Sequence, residues 1–410
     1  MSVKIDQINT TRTEAFPRYR YVIGALILAA HLALGVNFFS ISPLFPLAIE
    51  DYGITRATAS LLIAVPTLIK AMIGLPGSFI VARFGLKRVF TFSWFMIGAL
   101  TLSSLAPNYT TMLGLRLLYG VGAGLMMPAV GPLVMQWFPA REIPIVNSLN
   151  LIVMSLGIAV SVAIAAPMAN VISWEAVLGV FGLVALIGAL LWTFLGQVQP
   201  DSEQSQSRFG LSDIWNVLRN RTIFLLVVGD ALVFAFYGAL TSWLPTYFHE
   251  VRGMSLVQAG NVTGLLPFVG MVSVLVGGYL TYKIKSKRLF FIIPGFLVGI
   301  GGFGSFLFAN PTFIAASVII FGVGTWIYQP ILLTLPMQLS WMTPKKIAVV
   351  WGASLTIAGF GMFISPIVVG ASQDLLGTYV PGFIIWAVLG WALVGTGLLL
   401  PESDVSQQEQ

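Results

Sequence analysis

The sequence predicts an all-α membrane protein of twelve transmembrane helices arranged as two six-helix bundles, with both termini cytoplasmic. Three observations carry this expectation: the composition, a series of long apolar stretches, and an internal repeat. Of the 410 residues, 57% are hydrophobic and only 9% are charged, against roughly 25% charged in an ordinary soluble domain. Too few charges remain to make a water-facing surface, so the bilayer is the expected solvent.

Crossing about 30 Å of hydrocarbon as a helix takes some 18 or more apolar residues. Stretches of that kind run at Tyr21–Leu44, Ser60–Ala82, Val89–Ala106, Tyr109–Gln136, Ile145–Met168 and Ala176–Leu195. A second set follows at Thr222–Phe248, Leu256–Tyr282, Leu289–Ala309, Thr312–Leu339, Ile347–Val369 and Val380–Leu400. The expected organisation is a cytoplasmic arm (1–20), a first bundle (21–196), a polar cytoplasmic loop (197–221), a second bundle (222–400) and a polar tail (401–410). The first stretch is too long for a signal-peptide core and is read as an uncleaved helix.

The net charge of +6 raises the question of nucleic acid, and the placement of the basic residues answers it. With a cytoplasmic N-terminus, 17 of the 21 Lys and Arg residues fall on the cytoplasmic side, leaving Arg56 and Arg252 outside and Lys70 and Arg116 within helices. That asymmetry is the one that orients helices during insertion. The lipid bilayer, not nucleic acid, is the expected large partner, and the expected location is a plasma membrane such as a bacterial inner membrane. The chain has no cysteine and only two histidines, His31 and His249. Disulfides and thiolate chemistry are therefore excluded, and no metal or other cofactor is expected. Neither a phosphate-binding loop nor a hydrolase or metalloprotease motif occurs, so an enzyme or an ATP-driven pump is not expected.

The halves repeat. Tyr119-Gly120-Val121-Gly122, Pro128 and Met135-Gln136 recur 202 residues later as Phe321-Gly322-Val323-Gly324, Pro330 and Met337-Gln338. Arg83, Lys87 and Arg88 recur at an offset of 200 as Lys283, Lys287 and Arg288. A shift of six helices keeps orientation, so the repeat is a parallel one about an axis along the membrane normal. The glycines Gly120, Gly122 and Gly124 lie inside an apolar helix without the strand a dinucleotide loop needs, and are read as close-packing positions.

Twelve helices, a six-plus-six repeat, a central loop and basic loops after helices 2 and 8 resemble the major facilitator superfamily of secondary carriers. That family's loop signature usually reads Gly-x-Leu-x-Asp-Arg-x-Gly-Arg-Lys. The matching stretch here runs from Ser78 to Lys87. Arg83, Gly85, Lys87 and the following Arg88 are the candidate gating-loop residues, while Ala82 stands where the family usually has aspartate. Arg116 with Gly120, Gly122 and Gly124 resembles the helix 4 signature, whereas Gly157 and Pro167 lie too far apart for the antiporter motif of helix 5. The stretches Trp137–Glu142 and Trp243–Phe248 are similar to branches carrying organic anions. The resemblance implies a cavity lined by helices 1, 4, 7 and 10, with Arg116 as a lining cation.

An ionised side chain at mid-membrane costs about 2.5 to 3.5 kcal/mol on insertion scales, so each one calls for a reason. Lys70 either attracts an anionic substrate or pairs with Asp230; its depth argues against snorkelling. Arg116 either binds a carboxylate through two hydrogen bonds or ties helix 4 to backbone carbonyls. Asp230 is the one acid well inside a helix, on a stripe with Phe234, Tyr237 and Thr241 at i+4, i+7 and i+11. Either it couples transport to protons, its charge changing as a partner moves, or it is permanently paired with Lys70 or Arg116. His31 is a second proton candidate, weighed against an ordinary hydrogen-bonded histidine. Asn37, Trp326, Tyr328 and Gln329 are candidate polar wall residues beside Tyr237, against the alternative of helix packing. Two cations against one acid favour a small anionic substrate, a monocarboxylate or sugar acid, taken up with protons by a monomer working through alternating access. The rival readings are a proton-coupled exporter of hydrophobic compounds, and a channel or membrane-embedded receptor.

Overall fold

A computed structural model describes residues 18–139, 141–199, 217–284, 286–339, 341–342 and 344–400. Most of the expected N-terminal arm and of the central loop, and the whole tail, lie outside the described residues. Among the described residues, twelve helices are long and apolar enough to cross a membrane. In order they are α1 (Arg20–Tyr52), α2 (Arg56–Phe84), α3 (Leu86–Leu105), α4 (Tyr109–Trp137), α5 (Ile143–Ala169) and α6 (Trp174–Leu195). The second six are α7 (Arg221–Arg252), α8 (Leu256–Lys283), α9 (Leu289–Leu307), α10 (Pro311–Gln338), α11 (Pro344–Leu376) and α12 (Val380–Leu399).

The helix ends follow from the polar residues between the apolar stretches. Thr55, Asn108, Ser173, Asn220, Ser255 and Asn310 each accept a backbone N–H of the helix that follows them, satisfying donors a helix start leaves open. α1 and α7 both end on left-handed glycines, Gly53 (φ +59°) and Gly253 (φ +67°), a conformation that costs a side-chain-bearing residue more. These two stops, and the caps Thr55 and Ser255 after them, are again 200 residues apart, so the repeat extends to the turns.

Two helices break. α1 is interrupted after Phe38 by a short 3₁₀ turn at Ser42–Leu44 before resuming at Phe45. α10 stops at Trp326 and restarts at Gln329 ahead of Pro330, where proline's missing N–H ends the ladder. The glycines of α4 do pack helices closely. A Cβ on Gly120 would sit 2.8 Å from the Pro66 backbone of α2, and one on Gly122 would sit 2.7 Å from the Ser93 carbonyl of α3. Their repeat partners Gly322 and Gly324 press on α8 and α9 in the same way.

The halves meet along two seams. α11 packs on α2, with Gly370 against the backbone of Arg56 and Ala57 and Gly359 against Ala71. α8 packs on α5, with Gly260 against the Val162 carbonyl and Gly264 against that of Ala159. Along α2, these contacts reach from the Arg56 end to Ala71, the residue after Lys70.

Candidate functional site

Lys70 lies 14 residues into the 29-residue α2, about 20 Å along its axis at 1.5 Å per residue. Its side chain is partly exposed, and its Nζ stands 4.8 Å from the centroid of Phe38, at the break of α1. A cation over a ring face is attracted by the ring's quadrupole, but the ring carries no charge to neutralise it. Among the described residues the ion pairs are Arg20–Glu142, Arg141–Glu142 and Arg56–Glu250, so Lys70 has no acidic partner.

Asp230 is buried on α7 and is held instead by the break of α10. Tyr328 Oη donates to its Oδ1 at 2.9 Å and Gln329 Nε2 donates to the same oxygen at 2.8 Å. Both donors are neutral, so among the described residues the carboxyl has no cationic partner, and its Oδ2 completes no hydrogen bond. The alternative in which Lys70 and Asp230 pair is therefore not the arrangement present.

A belt of aromatic rings runs from Phe38 beside Lys70 to α7 and α10. Phe38 and Phe39 are 4.3 Å apart between centroids, Phe39 meets Tyr237 of α7 at 6.2 Å, and Tyr237 meets Trp326 of α10 at 5.8 Å. Phe234 closes the belt at 5.4 Å from Trp326 and 6.1 Å from Tyr237. The Phe39–Tyr237 contact crosses from the first half to the second. Trp326, Phe234 and Gln329 keep part of their surface open, while Trp326 Nε1 and the Tyr237 and Thr241 hydroxyls are buried without partners.

Arg116 and Asn37 sit apart from this belt, inside the first half, and both are buried. Arg116 Nη1 donates to the Asn37 carbonyl at 2.6 Å, and the Asn37 amide donates to the carbonyls of Ala33 and of Phe181 on α6 at 2.9 and 3.0 Å. Together they tie α4, α1 and α6 through backbone oxygens, although Arg116 Nε and Nη2 remain unpartnered. His31 is buried, with Nδ1 3.0 Å from the Ile27 carbonyl of its own helix. The expected gating loop is reduced to Gly85 (φ +86°): Arg83, over the Phe84 ring at 5.6 Å, ends α2, and the exposed Lys87 and Arg88 begin α3. Among the described residues none of these three cations pairs with an acid.

The Arg56 end carries a feature that residue types alone did not single out. Arg56 Nη2 donates to both oxygens of Glu250 at 3.0 Å, its Nε donates to Tyr379 Oη at 2.8 Å, and Tyr379 donates to Glu250 at 2.7 Å. Asp374 of α11 accepts the backbone N–H groups of Arg56 and Ala57 at 3.1 and 2.8 Å, a carboxylate on the positive start of α2. Ser42 Oγ donates to the carbonyls of Thr241 and Ser242. Apart from the Tyr379–Glu250 bond, which braces the second half, each of these contacts joins the two halves, so this mouth is shut. Burial and the neighbouring Glu250 push the Tyr379 phenol up, and it stays a donor at any physiological pH.

A carboxylate on the start of a helix, as Asp374 is on α2, is worth up to about 1 kcal/mol, a factor of about five in a two-state population. Asp374→Asn is accordingly expected to raise the fraction open at the Arg56 end about fivefold. The chain's lack of cysteine makes Ser242→Cys a clean reporter, since its side chain spends no hydrogen bond on the seam. Thiol labelling from that side should speed up by about that factor; an unchanged rate would mean Asp374 does not hold the mouth.

The sequence profile of the Major Facilitator Superfamily matches residues 27–366. Among individual relatives, the "Probable sulfoacetate transporter SauU" of Cupriavidus necator is 26% identical over 92% of this chain and 92% of its own. The "Probable nitrate transporter NarT" of Staphylococcus carnosus is 24% identical over 85% and 88%. Among solved structures, a bacterial homologue of the human lysosomal transporter Spinster, inward-facing and unoccupied, superposes with a TM-score of 0.70 at 16% identity, covering 93% of this chain and 95% of that one. With a profile match over most of its length and two bundles of six membrane-crossing helices, the chain belongs to the Major Facilitator Superfamily and is a multi-pass membrane transporter.

Proposed function

We propose that the protein takes up a small organic anion together with a proton, by rocking its two bundles about the belt at the membrane centre. The observation that carries this is Lys70: a partly exposed cation at mid-helix with no acid to neutralise it. Such a charge is costly in a bilayer unless an anion arrives to meet it, and the two relatives above are named as probable transporters of sulfoacetate and nitrate, both anions. Asp230, bonded through one oxygen and free at the other, is the group proposed to carry the proton. The basic loops are taken as cytoplasmic, which makes the shut Arg56 mouth the outer one and the cavity inward-facing.

An exporter of hydrophobic compounds would make use of the aromatic belt but has no use for the unneutralised Lys70. Purified protein in liposomes separates the two. Uptake of labelled monocarboxylates driven by an inward proton gradient, with counterflow in its absence, is the expected result; extrusion of apolar dyes with no carboxylate flux would overturn the reading. For orientation, tags at Asn108 or Pro311 are expected outside and tags at Ser205 or the C-terminus inside. Cleavage at Ser205 by protease added to intact cells would reverse it.

A further inference from the structure

This inference rests on the anion reading above and narrows its substrate. The surfaces left open along the belt belong to Phe234, Trp326 and Gln329, two flat rings and one amide. Gln329's amide nitrogen is already committed to Asp230, as is the Tyr328 hydroxyl. Unpartnered donors nearby are few, namely Trp326 Nε1 and the hydroxyls of Tyr237 and Thr241. Phe234 and Tyr237 meet Trp326 edge-to-face at 87° and 89° between ring planes, and Gly270 of α8 leaves the space the indole fills, since a Cβ there would collide with Trp326 Cδ1. Ile327 is seated similarly, its carbonyl where a Gly277 Cβ would collide with it. A wall of this kind is pre-shaped for a flat body and poor in hydrogen-bond partners for a string of hydroxyls.

We infer that the preferred substrate is a monocarboxylate with an aromatic or conjugated body, its carboxylate on Lys70 and its ring face against Trp326 and Phe234. An ammonium resting on the Phe38 ring still turns N–H donors toward an incoming carboxylate. Trp326 Nε1 and Tyr237 Oη can meet one polar substituent on the ring. A sugar acid would bring several hydroxyls to the same wall and leave most of them dry and unpaired, which disfavours it.

The test is ligand-induced thermal protection of the purified full-length protein, with benzoate and gluconate as probes over a concentration series. Benzoate is expected to protect at concentrations at least tenfold below gluconate. Trp326→Leu is expected to weaken benzoate about tenfold, with Trp326→Phe keeping most of the affinity, because a ring face and not the indole N–H supplies the contact. The benzoate-to-gluconate comparison on the unmutated protein stands even if Trp326→Leu does not fold. Gluconate protecting as well as or better than benzoate, with protection lost in Lys70→Gln, would overturn the inference and leave the anion reading standing. A folded Trp326→Leu with undiminished benzoate affinity would also overturn it. Protection by neither acid, or benzoate protection unchanged in Lys70→Gln, would overturn both.

Discussion

Lys70→Gln is expected to weaken binding of a monocarboxylate substrate by roughly tenfold to more than a hundredfold while leaving the melting temperature of the unliganded protein unchanged or higher. The affinity loss is that of a charge-assisted hydrogen bond, about 1.5 to 3 kcal/mol. The stability half of the expectation comes from what surrounds Lys70. Truncating one partner of a buried ion pair strands the other charge and costs several kcal/mol, but here Phe38's ring is the neighbour that loses a contact, and Asp230 keeps its bonds to Tyr328 and Gln329. Removing an unpaired cation from a low-dielectric site relieves a cost. Lys70→Arg should retain part of the affinity, since it keeps the charge but alters the geometry. Titrations by thermal shift give both quantities from the same samples. If Lys70→Gln instead lowers the melting temperature, and adding Asp230→Asn restores it, the two residues are energetically coupled after all and the anion has no claim on Lys70.

The bilayer made the fold easy to see in the sequence. Twelve apolar stretches and a one-sided basic distribution follow from the cost of placing backbone and charge in hydrocarbon, and all twelve helices lie where expected. Their ends were less legible, because hydrophobicity marks where a helix meets lipid and not where its hydrogen bonds stop. α11 runs Pro344–Leu376 rather than Ile347–Val369, and α2 begins at Arg56 rather than Ser60 because Thr55 caps it. The break in α1 between Phe38 and Phe45 is invisible to a hydropathy window, since both sides are apolar.

The site divides in the same way. Lys70, Arg116 and Asp230 stand out because charge in a membrane demands a reason, but partners are a matter of tertiary packing. Asp230 meets residues 98 and 99 positions away, and Arg56 meets Glu250 across 194. Nothing local distinguished the Lys70–Asp230 pairing from the arrangement present. The aromatic belt was half legible: the Phe234–Tyr237–Thr241 stripe was visible at helical spacing, yet Phe38 and Phe39 reach it only because α1 breaks just beyond them. The clue to the Arg56 latch was available in the charge distribution. Arg56 is one of only two basic residues on its side, and an isolated cation beside the acids Glu250 and Asp374 invites a clasp.

Asp230→Asn is expected to abolish proton-driven accumulation while sparing counterflow. The two neutral donors, Tyr328 and Gln329, converge on a single oxygen of the carboxyl, at 2.9 and 2.8 Å. An asparagine oxygen in that place accepts the same two bonds, so the break of α10, and with it the placement of Trp326 and Gln329, should survive the change. What the amide cannot do is gain and lose a proton, because its second position is a permanent N–H donor. Exchange of labelled for unlabelled substrate needs the rocking and the binding site alone, whereas uphill uptake needs a charge that differs between the two journeys across the membrane. In liposomes with an inward proton gradient, the variant should therefore reach only the equilibrium level of substrate, and its uptake rate should lose the rise toward acidic external pH expected of the unmutated protein. Counterflow without a gradient should stay within a few-fold of the original, a comparison that also proves the variant is folded and inserted. Undiminished uphill accumulation with the original pH dependence would remove Asp230 from the coupling step. His31, buried on α1 and bonded only to the Ile27 carbonyl of its own helix, would then be the next side chain to mutate.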